Sequence, residues 1–441
     1  MGWLFAYWDA PLVEDALFWF VPTALQQLEI GPMLGAQGAL PASVVGHGPL
    51  PPQWAAGLPD YGHPPLWYGW LAAFLAVSPT LGALRAACVL PAAAAGLGFV
   101  ALADEARRPW AGLAVWAIPG VLAQLLRPEL DLPLLALVPL ALVALHRDRW
   151  TIFAVLSVVA TWTKEPGVLL VVPALVQAFR RRRLAWQVLA PVVALGVWAG
   201  VHGGLAPVLQ RPSSWGQLGE NLLGVGRFVF VDQGRFLLVF GAVGLAAAPL
   251  ELATILVFAL FFAYVRYYAS AGTADAYTHL RYLLPAVAVY VVTTTARVRV
   301  PNAAAGFLSL VQLGWLHRVH VNGPEGSMAG IDAAYADRTA LRAASGGEPW
   351  VGTYLAAGVG RTWTGYPDVP VRVYAFETTP EALAAGDLIL VSTYGEPATR
   401  LERALRVEVV GEFRVGEVAS RIDRVLGQAP EGWVPAVAPP R

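Results

Sequence analysis

The sequence predicts a mainly α protein: a polytopic transmembrane helix bundle of about ten spans, given that a span takes about 20 apolar residues, followed by a small α/β domain. Three observations carry this prediction. Only 14% of the 441 residues are charged and 57% are hydrophobic, with a mean hydropathy of +0.55. A water-facing globule carries about 25% charged residues. One apolar run follows another from residue 82 to 319. From about residue 324 the composition changes, with more acids, arginines and glycines.

The apolar runs occupy 82–104, 110–126, 132–146, 150–163, 166–179, 185–203, 235–249, 250–268, 281–295 and 303–319. Backbone amides in lipid must bond internally, so each run reads as a helix. Arginines fix the sidedness. Arg107 and Arg108, Arg147 and Arg149, Arg180 to Arg183, and Arg297 with Arg299 all fall at one face, which the positive-inside rule makes cytoplasmic. The opposite face receives 1–81, 127–131, Lys164 and Glu165, 204–234, 268–279 and the C-terminal tail.

This divides the chain into an outer-face first loop with interfacial helices (1–81), a transmembrane helical domain (82–320) and a soluble extracytoplasmic α/β domain (324–441). Met1 to Trp8 is apolar but too short to span, and it lacks the basic region and cleavage site of a signal peptide. The parity of the spans therefore leads us to expect a first helix missing from this start. In the last domain, strand-like runs PWVGTYLA, VRVYAFE, DLILVSTY and VEVVGEFRV alternate with helical stretches at Asp332 to Ala344 and Thr399 to Ala404. The glycines of AAGVGRTWTG do not make a dinucleotide fingerprint, and no chemistry is assigned to this domain.

Composition also excludes classes of function. Net charge is zero, so no basic field argues for nucleic acid. The single cysteine, Cys88, lies in an apolar run and can form no intrachain disulfide. Lys164 is the only lysine among the 30 basic residues. A drift from Lys to Arg explains the scarcity but not the site of the exception.

The candidate chemistry lies on the outer face. Ionisable groups at helix ends in a membrane protein are costly unless solvated or paired. Glu14 and Asp15 sit in the aromatic run DALFWFVP, as a general base and its partner or as solvated loop acids. Asp60 and His63 belong to DYGHPPLWYGW, where His63 also reads as a loop histidine packed on Tyr61 or Trp67. In RPELDLPLL, Asp131 opens a span, as an N-terminal cap, a second carboxylate or a metal ligand. TWTKEPG holds Lys164 and Glu165, as a local ion pair or as a cation for phosphate beside a polar contact. Arg281 of THLRYLLP either snorkels or clamps a phosphate. The other histidines show no metal-ligand spacing.

The order of these blocks resembles the polytopic GT-C glycosyltransferases, above all the branch with protein O-mannosyltransferases and lipid A aminoarabinose transferases. The acidic pair, GHPPLWYGWL, RPELDLPL, TKEPGVLLVVPAL and LRYLLPA carry the likeness, over roughly residues 9–320. The resemblance implies a GT-C bundle in the inner (plasma) membrane with an outward active site. It implies transfer of a sugar from a polyprenyl-phosphate donor to a hydroxyl of a protein, lipid or glycan, with inversion. The family's Asp-Glu falls on Glu14-Asp15 in reversed order; Asp15 is taken as the base. The second catalytic carboxylate falls on Asp131, the donor-phosphate cations on Lys164 and Arg281, and substrate contacts on Asp60, His63 and Glu165. Relatives differ in metal dependence; a divalent metal would sit on Asp15 and Asp131. Two other classes stand beside this: a transporter, flippase or glycan-export component, and an inactive GT-C-like scaffold. No pair of related halves with broken midplane helices, as in a transporter, is visible.

Overall fold

The computed structural model describes residues 8–12, 16–30, 63–125, 127–183, 185–202, 215–226, 228–229, 245–264, 280–297, 328–344, 350–352, 364–366, 371–374, 379–392, 404–415 and 418–430. The expected run 303–319, most of 235–249, and the helix at Thr399 to Ala404 except its last residue lie outside them.

A π turn, Ala16–Phe20, leads into α1, Val21–Ile30. Helices α2, Leu66–Val77, and α3, Leu81–Asp104, follow. Thr80 caps α3, its hydroxyl accepting from the Ala83 amide. Pro91 inside α3 has no N–H to give the Ala87 carbonyl four residues back. The indole of Trp70 takes that carbonyl instead, at 2.9 Å, and so stitches α2 to α3. Among the described residues α3, with 24 residues, is the one helix long and apolar enough to cross a bilayer by itself.

The run expected at 110–126 is not one helix. A 3-10 helix, Pro109–Ala117, stops at the extended Ile118, and a short α4, Pro119–Gln124, begins at the proline. The cause is local: Pro119 disfavours helical backbone at the residue before it. Helices α5, Asp131–His146, and α6, Trp150–Thr163, then run up and back. The run expected at 166–179 is a 3-10 turn, Glu165–Leu170, continued by α7, Val171–Arg180. The bundle is completed by α8, Ala190–His202; α9, Trp215–Gly226; α10, Pro249–Tyr264; and α11, Leu284–Arg297. Every residue of α11 before Arg297 is buried, so it is the bundle's central helix. Leu97 of α3, Val155 of α6, Val193 of α8 and Leu260 of α10 face outward, an apolar surface that suits lipid.

Three helices end in the same way. After α3, α5 and α7 the residues Arg107, Asp148 and Arg182 adopt positive φ of 58°, 52° and 48°. The next amide reaches back to the carbonyls of Ala103, Ala144 and Ala178, respectively. These are Schellman endings built on charged residues where glycine is usual.

The C-terminal part holds α12, Met328–Ala344, and five strands: β1, Trp350–Gly352; β2, Val371–Tyr374; β3, Leu388–Ser392; β4, Leu405–Val415; and β5, Val418–Gln428. Their order is β2-β1-β3-β5-β4, parallel among the first three and antiparallel beyond. Strand β5 has no counterpart in the sequence reading. It is a central strand, and it buries Ser420, Arg421 and Asp423, which break the apolar pattern. Arg421 forks onto Asp423 at 2.7 and 2.9 Å. Strand β4 lies at the edge and exposes Arg406, Glu408, Glu412 and Arg414.

Candidate active site beside an apolar groove

Lys164 ends α6 and leaves it in extended backbone, φ −158° and ψ 138°. Its amide still bonds to the Ala160 carbonyl at 3.0 Å, and its own carbonyl receives the Gly167 amide at 2.9 Å. The turn folds so tightly onto α6 that a Cβ on Gly167 would come within 2.4 Å of the Ala160–Thr161 backbone. Glycine is therefore required here by close approach rather than by φ.

This turn aims the Lys164 ammonium at the start of α5. Its Nζ donates to Asp131 Oδ1 at 2.6 Å, with Asp131 at 0% and Lys164 at 2% exposure. Asp131 is the first residue of α5, after Leu130. A carboxylate in the first turn also suits the helix dipole. The same ammonium lies 3.4 Å from the ring centroid of Tyr282, a cation–π contact. Tyr282 belongs to the 3-10 turn Leu280–Leu283, next to Arg281, whose side chain lies outside what is described.

The local ion pair between Lys164 and Glu165 does not form. Adjacent side chains on extended backbone point to opposite sides. Glu165 instead accepts from His63 Nδ1, 2.9 Å from both carboxylate oxygens. His63 also lies near Phe20, at a ring separation of 6.4 Å, while Tyr61 falls outside the described residues. Arg127 and Glu129, both buried, approach to 3.9 Å in the loop before α5. The Trp67 indole donates to the Pro128 carbonyl of that loop at 3.0 Å. Asp131, Lys164, Glu165 and His63 are thus brought together, whereas Glu14, Asp15 and Asp60 lie outside the described residues. Among the described residues no three His, Cys, Asp or Glu side chains are grouped to hold a metal.

Beside the pair runs a groove of about 700 Å³, walled by α2, α3, α5 and α6. Its lining includes Pro133 and Thr163, each within two residues of the ion pair. Three tryptophans line it, and each hides its N–H on a backbone carbonyl: Trp67 on Pro128, Trp70 on Ala87 and Trp162 on Ala194. The rings therefore present apolar faces. Gln27 of α1 is the amide on this lining, and its buried Nε2 makes no hydrogen bond among the described residues.

Sequence reasoning missed Tyr282, Trp67, Gln27 and Arg85. Arg85 was detectable as a lone charge inside a predicted span. It is buried in α3 and donates to the carbonyls of Trp8, at 3.2 Å, and Ala10.

The apolar helical bundle, its buried charges and its C-terminal sheet unit are similar in fold to solved structures of ArnT. The crystal structure of ArnT from Cupriavidus metallidurans bound to undecaprenyl phosphate is similar over 97% of this chain and 97% of its own. The TM-score is 0.51 and the identity 12%. ArnT in the apo state is similar over 98% of this chain and 97% of its own, with a TM-score of 0.50 and 14% identity. At such identity the likeness is one of fold. No family model and no curated protein matches the chain.

Proposed function

We propose that this protein is a multi-pass membrane glycosyltransferase of about ten spans, with its active site and C-terminal α/β domain on the extracytoplasmic side of the inner membrane. It moves a sugar from a polyprenyl-phosphate donor to a hydroxyl acceptor. The observation that carries this reading is the buried Lys164–Asp131 pair beside an apolar groove. A lipid-linked phosphate needs both surfaces at once: apolar walls for its tail and a cation for its head. An ammonium has three N–H donors, enough to hold a carboxylate and a phosphate oxygen together. That the fold is shared with a protein crystallised on undecaprenyl phosphate supports the same ligand class.

In this mechanism the acceptor oxygen attacks the sugar's C1 in line with the departing phosphate oxygen. The C1–O bond to phosphate breaks and the anomeric centre inverts. Asp15, with Glu14 beside it, takes the hydroxyl proton. Charge grows on the leaving polyprenyl phosphate, and Lys164 with Arg281 stabilises it in a dry site. Asp131 holds Lys164 in place, while His63, Glu165 and Asp60 contact substrate. A divalent metal on Asp131 would meet a carboxylate whose Oδ1 already accepts from the Lys164 ammonium.

The test is reconstitution in vesicles with polyprenyl-phosphate sugars, comparing wild type with Asp15→Asn and Lys164→Ala. Both variants should lose transfer. Undiminished transfer by Asp15→Asn would sink the assignment of the base. Absence of transfer from every donor would sink the enzymatic reading.

A further inference from the structure

The C-terminal unit shares a core with the outer site. Leu130, the residue before Asp131, is fully buried in one cluster with Trp67 of α2, Leu341 of α12, Leu390 of β3 and Ile422 of β5. Helix α12 also packs on α4, which leads into the Arg127–Asp131 loop. The loop that delivers Asp131 is therefore held by the Trp67 indole on Pro128, and its Leu130 shares one buried cluster with apolar side chains of the C-terminal unit.

A second grip falls on residues 8–12, which precede Glu14 and Asp15 in the sequence. Arg338 of α12 donates to the Asp9 carbonyl at 2.6 Å and to its carboxylate at 2.9 Å. The Tyr335 hydroxyl donates to the other carboxylate oxygen at 2.7 Å. The Leu12 amide donates to the Thr364 carbonyl at 2.8 Å. Burial raises the Asp9 pKa, but the Tyr335 and Arg338 bonds outweigh it, and the net shift is downward. An independently tethered accessory domain would need neither grip.

We propose that the C-terminal unit is a positioning element of the outer site. Leu341, with Leu390 and Ile422, braces Leu130 so that Asp131 meets Lys164, and Arg338 anchors the first loop through Asp9. The inference rests on the glycosyl-transfer reading of that pair for its catalytic meaning, but not for its geometry.

Lys164 makes the test direct, because it is the only lysine in the chain. The full-length protein labelled with ¹⁵N-lysine gives one side-chain ammonium signal. Leu341→Ala should shift that signal and speed exchange of its protons, while Leu341→Met restores the wild-type position. Leu426→Ala, on the exposed side of β5, should leave it unmoved. In the transfer assay Leu341→Ala should lower kcat about 10- to 100-fold with little change in KM, as loss of alignment does. A folded Leu341→Ala protein with an unmoved ammonium signal overturns the inference. Should Leu341→Ala fail to fold, Asp9→Asn and Arg338→Lys loosen the exposed grip instead. Faster amide exchange across residues 8–12 supports the proposal, and unchanged exchange in both variants overturns it. If the wild type transfers no sugar, the functional reading fails while the ammonium and amide signals still decide the positioning role.

Discussion

The two ends of helix α5 hold most of their charge differently. At its start, Asp131 and Lys164 are sealed from solvent and joined at 2.6 Å, with Arg127, Glu129, Glu165 and His63 around them. At its finish, Arg147 meets Glu105 at 2.7 Å and Arg181 meets Asp148 at 2.9 Å, with substantial exposure on both sides. His146 and Glu251, 2.9 Å apart and largely buried, form a third pair there. The exposed pairs close helix ends and balance local charge, which arginine in water does readily. The buried pair brings together a carboxylate and an ammonium that would each be expensive alone. Buried charge in an apolar bundle marks a candidate for ligand contact or alignment.

The largest expected effect separates the two ends. Lys164→Ala removes the ammonium that meets the buried Asp131 carboxylate at 2.6 Å and should lower stability by about 3–5 kcal/mol. Arg181→Ala at the other end should change it by less than about 1 kcal/mol. Thermal unfolding in detergent measures both, and equal losses would abolish the contrast. Next in size is Gly167→Ala. The new methyl meets α6 backbone, which cannot swing away, so a loss of about 1–3 kcal/mol is expected. Gly196→Ala, where nothing lies within 4 Å of the new carbon, serves as its control.

A smaller effect depends on pH. The Asp9 carboxyl has a folded pKa below its ordinary 3.8. Its contribution to holding α12 is therefore complete above that value and disappears as pH falls through the lower folded one. Amide exchange at residues 8–12 should quicken over that acidic interval in wild type but not in Asp9→Asn. The smallest effect is at Arg182, whose left-handed backbone favours glycine. Arg182→Gly should stabilise by up to about 1 kcal/mol, offset in part by the flexibility glycine gains when unfolded. A clear loss in the melting temperature would mean that the arginine makes a contact beyond its backbone role.

The bundle was legible in the sequence because hydropathy is additive along a helix. Helix bounds such as Asp131–His146 and Trp150–Thr163 follow the apolar runs almost residue for residue. The partners of the site residues were not legible. Lys164 and Glu165 are neighbours in sequence, yet they pair with Asp131, 33 residues away, and with His63, 102 residues away. One extended residue at the end of α6 decides this, and no local pattern announces it. Proline broke the run at 110–126 where hydropathy ran on. Strand β5 was missed because its first half, 419–423, is buried on both faces and has no alternation to read, and its Arg421–Asp423 fork looks like surface charge.

The charged border of the C-terminal sheet bears on how copies of this protein meet. An open strand is a template on which another chain can add its own backbone bonds. Strand β4 sets Arg406, Glu408, Glu412 and Arg414 along that border, and an incoming strand would have to match this order of plus, minus, minus, plus to dock. Identical units meeting antiparallel with Arg406 opposite Arg414 would also set Glu408 opposite Glu412, like against like. At that register the border would count against edge-to-edge pairing of two copies.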